Sequence, residues 1–81
     1  MKLYKVKEAL IGPYDEVDVT EKVVGPALAL EQGQEFWIVT PKHPWSPDVG
    51  IPELDSYIIQ VNGKHYAAPA DSLEPHMEPL P

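Results

Sequence analysis

Residues Leu28 to Val39 read Leu-Ala-Leu-Glu-Gln-Gly-Gln-Glu-Phe-Trp-Ile-Val, and this stretch decides the fold. Leu28 and Leu30 alternate, Glu31-Gln32-Gly33 turns the chain, and Phe36 and Ile38 resume the alternation with Trp37 and Val39 on the other face. Period-two hydrophobicity broken by a glycine predicts two extended segments meeting at a bend. Such a bend gives a β fold and leaves the function open.

Working outward, the second strong signal lies in Tyr57 to Ala68. Asn62-Gly63 is the favoured pair for a two-residue type I′ hairpin, because both central residues of that turn need positive φ. The turn sets a register of Val61 with Lys64, Ile59 with Tyr66 and Tyr57 with Ala68. One face then holds Tyr57, Ile59, Val61, Tyr66 and Ala68, the other Ile58, Gln60, His65 and Ala67. The first face is the more apolar and is expected to be the core.

Toward the N-terminus, residues 2–11 read as a first strand stopped by Gly12-Pro13. Between Tyr14 and Glu21 the acids Asp15, Glu16, Asp18 and Glu21 alternate with Val17 and Val19, which predicts an irregular extended arm. Toward the C-terminus, Thr40 to Asp55 contains Pro41, Pro44, Pro47 and Pro52. Proline lacks a backbone donor, so a long connecting loop is expected there. Loops beyond about 12–15 residues in a compact domain are often functional. Pro69 to Pro75 predicts a single 3₁₀ turn, and the last residues a loosely held tail.

The motifs, in this order, resemble those of Src-homology-3 domains. Leu28 to Val39 is similar to the family's diverging turn. Gly63 to Pro75 is similar to its distal hairpin, proline-led 3₁₀ turn and last strand, and the acidic 8–27 stretch to its long first loop. The resemblance implies an all-β, Src-homology-3-like small barrel of about five strands over residues 1–76, with 77–81 as a flexible proline-rich tail. Tyr4 and Pro69 match positions of the family's peptide groove. Ser72 stands where a groove tyrosine is expected, and Tyr57 or Trp45 would have to substitute for the groove tryptophan. Ordinary recognition of proline-rich peptides is therefore not expected.

Composition narrows the functional classes. The chain has 81 residues, which supports one small core. It has no cysteine, hence no disulfide and no thiolate chemistry. Its N-terminus lacks a signal-peptide apolar run, and no segment approaches the ~20 apolar residues of a membrane span, so a cytoplasmic location is expected. Thirteen acids against six basic residues give a net charge of −7. Binding to a polyanion demands cations, so direct nucleic-acid binding is not expected; steering of basic partners is. His43, His65 and His76 have no metal-ligand spacing. No serine lies in a nucleophile motif and no glycine loop is of the phosphate-cradling type, so neither catalysis nor a cofactor is expected.

The leading expectation is a non-catalytic protein-interaction module binding a basic partner surface. Its contact residues would be Asp15, Glu16, Asp18, Glu21, Trp37, His43, Trp45, Tyr57 and Pro69. Trp37, on the non-core parity of its strand, and Trp45, stiffened by neighbouring prolines, have the side chain favoured at binding hot spots. Against this, Trp45 can fold back as a lid on a thin core. Two alternatives are a small-ligand or sequestering protein with an aromatic pocket, and an acidic decoy that inhibits a nucleic-acid-binding enzyme. Self-association as a twofold homodimer would add cover to so small a domain, opposed by the repulsion of like charges.

Overall fold

A computed structural model describes all residues, Met1–Pro81. The chain forms seven antiparallel strands: β1 (Lys2–Val6), β2 (Ile11–Val17), β3 (Leu28–Leu30), β4 (Glu35–Trp45), β5 (Leu54–Val61), β6 (Lys64–Pro69) and β7 (Met77–Pro79). They lie in the order β3-β2-β6-β5-β4-β1-β7, curled into an all-β half-barrel. One helical turn, α1 (Ala70–Leu73), runs into a 3₁₀ turn over Glu74–His76. No helix is long and apolar enough to cross a membrane.

Two turns build the centre. Gly33 has φ +86° at the bend between β3 and β4, where its amide donates to the Val6 carbonyl at 2.9 Å and Gln34 N–H closes the turn on the Glu31 carbonyl at 3.0 Å. Asn62 (φ +50°) and Gly63 (φ +79°) both occupy the left-handed region, as a type I′ turn requires. The β5–β6 register is the one the turn dictates: Val61 with Lys64, Ile59 with Tyr66 and Tyr57 with Ala68.

Alternation along these strands fills one side of the sheet with a ten-residue core. Phe36, Leu30, Ile59, Val61, Tyr66, Ala68 and Leu73 belong to it, and Tyr4 stacks on Phe36 with ring centroids 5.8 Å apart. The opposite side is not all solvent. Val17, Trp45, Ile58 and Ala67 form a second, four-residue cluster there. Ile58 and Ala67, on the face expected to be the less apolar, are thus buried as well.

Several expectations need correction. There are seven strands rather than about five. The first strand stops at Val6; a turn with Ala9 at φ +69° starts β2 at Ile11, and Gly12-Pro13 lies inside β2, where the register shifts between Ile11 and Tyr14. β4 also continues through Pro41 and Pro44 to Trp45, where a loop was expected. Two register shifts, at Ile38/Thr40 and Thr40/His43, absorb the irregularity. β1 pairs with β4 only as far as Ile38, so beyond it β4 has a partner on one side alone. Proline is tolerated at such bulges and edges because no neighbour needs its missing N–H. The connecting loop shrinks to residues 46–53. The single 3₁₀ turn is joined to an α-helical turn, and Met77–Pro79, read as tail, pairs with β1 as β7.

Candidate functional site

The acidic arm is a hairpin continuation of β2. Val17 bridges to Val23, and Asp18 N–H donates to the Lys22 carbonyl at 3.0 Å. At the tip, one Asp18 carboxylate oxygen accepts from Thr20 N–H at 2.8 Å, Thr20 Oγ1 at 2.6 Å and Lys22 N–H at 3.1 Å. Aspartate favours such turns because its short side chain replaces a missing backbone acceptor. The hydrogen bonds from Thr20 and Lys22 hold the Asp18 carboxyl below its ordinary range. Asp18 therefore builds the turn.

Glu21 fastens this tip to β4. It adopts φ +65°, and its carboxylate lies 2.7 Å from His43 Nε2. Its carbonyl accepts from the Trp45 indole N–H at 2.8 Å. The other ring nitrogen of His43, Nδ1, lies 2.7 Å from the Pro41 carbonyl. The hydrogen bond to Glu21 raises the His43 pKa above its ordinary value.

Across from the tip stands the 46–53 loop. Ser46 Oγ lies 2.7 Å from the Ile51 carbonyl and 2.8 Å from the Asp48 carbonyl, and donates to one of them at a time. Val49 N–H donates to Asp48 Oδ1 at 2.7 Å. Between tip and loop lies an open cleft of about 740 Å³ with Trp45 in its wall. Glu21, Asp48 and Glu53 are its acids, Lys22 is its single cation, and Val23, Val49 and Ile51 supply exposed aliphatic surface. Val49 is 98% exposed. Large apolar side chains held in water beside carboxylates suit a ligand that is both cationic and aliphatic.

The residues singled out from the sequence do not form one site. Glu21 and Trp45 line the cleft, and His43 stands behind Glu21. Trp45 is only 8% exposed and packs in the second cluster, so its reading as an exposed hot spot is corrected to that of a lid. Asp15 and Glu16 lie on β2 opposite Ala67 and Tyr66 of β6, and as strand neighbours they point to opposite faces. Trp37, 40% exposed, stands on the stretch of β4 paired with β1, in a groove with Leu3 and Leu80. Tyr57 points to a different surface, where its hydroxyl donates to Glu74 Oε2 at 2.6 Å and Lys42 Nζ reaches the same oxygen at 3.3 Å. That arrangement pushes the Tyr57 pKa up to about 12 and lowers that of Glu74. Pro69 ends β6 opposite Ser56.

Sequence reasoning points to the 41–55 loop as part of the contact but does not single out Asp48, Val49, Ile51 and Glu53 within it. The available signal was an apolar pair around Gly50 inside a proline-bounded loop, where aliphatic residues have no core to face. No group of three or more His, Asp or Glu side chains is placed to hold a metal ion. Compared with protein-family models, curated proteins and solved structures, the chain has no significant match.

Proposed function

We propose that the chain is a non-catalytic protein-interaction module, a divergent Src-homology-3-like barrel whose cleft takes a cationic segment of a protein partner. The fold reading draws on the order of parts: an acidic arm, a glycine turn into the long strand β4, a type I′ hairpin, a proline-led helical turn and a short last strand. The functional reading is carried by one observation. The cleft between residues 20–23 and 46–53 combines three carboxylates with exposed Val23, Val49 and Ile51 on a protein of net charge −7. Carboxylates steer a lysine- or arginine-rich segment, and the aliphatic side chains cover the stems of its long side chains. The divergence of Asp15 and Glu16 to opposite faces speaks against the acidic-decoy reading, which needs its charges on one surface.

A test is an NMR titration of the labelled protein with a ten-residue peptide of alternating Lys and Leu. Shifts are expected at residues 20–23 and 46–53 and are expected to weaken with added salt. Binding that leaves these two segments unmoved, or that maps to Trp37 and Leu80, overturns the assignment.

A further inference from the structure

The geometry points to a proton-operated clasp, in which His43 as an imidazolium ties the 18–22 hairpin tip to β4 through both ring nitrogens and as a neutral imidazole keeps only one of the two contacts. Both ring nitrogens face acceptors at 2.7 Å: Nδ1 the Pro41 carbonyl, Nε2 the Glu21 carboxylate. A carbonyl and an ionised carboxylate have no proton to give, so both contacts need an N–H from the ring. Only the imidazolium has two. The neutral ring keeps one N–H and turns a lone pair on the other oxygen, so one of the two contacts becomes repulsive.

The charged groups facing the ring are Glu21 from the hairpin tip and Asp55 from β5. Both favour the cation. Lys42, the neighbour of His43 along β4, is engaged with Glu74 instead. The hydrogen bond to Glu21 moves the titration above the ordinary histidine value.

What the clasp holds is specific. Glu21 has left-handed backbone, a conformation a glutamate keeps only where its surroundings fix it. It is fixed by its N–H on the Asp18 carbonyl at 2.9 Å, its carbonyl on the Trp45 indole and its carboxylate on His43. In the neutral tautomer that keeps its proton on Nδ1, the Glu21 contact is lost, and with it the one tie made by the Glu21 side chain. The Thr20–Val23 wall of the cleft and the Trp45 indole hydrogen bond are then the parts that move. The clasp stands whatever occupies the cleft.

The experiment is a pH titration by NMR between about pH 5 and 9, the window in which histidines change charge. It follows the His43 ring, the Trp45 indole N–H and the amides of residues 20–23, with the Trp37 indole as internal reference. The Trp45 indole and the 20–23 amides are expected to shift with the midpoint of His43, the indole exchanging faster with water on the alkaline side, while Trp37 stays still. In His43→Gln this pH dependence disappears. Glu21→Gln removes the facing charge, and His43 then binds its proton less tightly, with its midpoint moved to lower pH. This second variant decides the matter where His43→Gln fails to fold. His43 titrating without any response at Trp45, a response that persists in His43→Gln, or an unmoved midpoint in Glu21→Gln each overturns the clasp.

Discussion

Trp45 shows how one side chain changes role when its neighbours are known. Its indole covers Ile58, Val17 and Ala67 on the second side of the sheet and ends in a hydrogen bond to the Glu21 carbonyl. A buried tryptophan removes a large apolar area from water and still needs a partner for its N–H. Trp45→Ala is expected to lower stability by about 3 kcal/mol, read by urea denaturation; an unchanged unfolding midpoint would return Trp45 to the surface. His43 contributes a pH dependence of definite sign. Its pKa is raised on folding, so its stabilising contribution is complete below the ordinary value near 6.5 and is lost as pH rises through the folded-state value. The melting temperature of the wild type relative to His43→Gln is therefore expected to fall between mildly acidic and alkaline pH. A difference that grows with pH would contradict the hydrogen-bond assignment. Asp18 has the opposite sign: its folded pKa is lowered, and its contribution is present above the ordinary carboxyl range and lost as pH falls through the lowered value.

At the scale of elements, the two glycine turns fix the sheet and β4 adapts to it. Gly33 has open space where a Cβ would go, so an alanine there meets no neighbour and its cost is conformational. Gly33→Ala is expected to destabilise by about 1 kcal/mol through its positive φ alone. Equal unfolding midpoints for the two proteins in urea would mean that the turn relaxes to another type. β4 carries prolines because only its first half lies between two strands, Ile38 being its last residue paired with β1. Its second half, with register shifts on either side of Thr40, turns Trp45 onto the second face and brings His43 to Glu21. The bulges of β4 thus connect the strand to the cleft.

For the whole molecule, the half-barrel has a main core on one side and a smaller cluster on the other, over which the acidic hairpin closes. The cleft lies where that hairpin meets the 46–53 loop, so its two walls belong to parts far apart in sequence. Asp48 and Glu53 are exposed and make no ion pair. Reversing both, as Asp48→Lys with Glu53→Lys, is expected to abolish the proposed capture of a cationic segment while moving the melting temperature little. Fluorescence anisotropy with a labelled lysine-rich peptide, run at low and moderate salt, measures this. Retained affinity would move the contact away from the cleft.

Local chemistry was legible in the residues themselves. Asn62-Gly63 is a turn in any context because its φ preferences are intrinsic, and it carried the β5–β6 register with it. Gly33 and the alternation from Phe36 to Ile38 placed Phe36 in the core for the same reason: strand parity needs no knowledge of the partner strand. The limits appeared where a residue's role depends on what lies opposite it. Pro41 and Pro44 argue against a strand only if both edges need donors, and pairing on one side removed that requirement. Ile58 and Ala67 became core because Trp45 and Val17 covered them from segments distant in sequence. The four acids between residues 14 and 21 look alike as sequence; the structure makes Asp18 a turn, Glu21 a partner of His43, and turns Asp15 and Glu16 apart. Conformational preference belongs to short segments, and those the sequence alone determined. Burial and electrostatic pairing belong to surfaces brought together across the chain, and only the tertiary structure decided them.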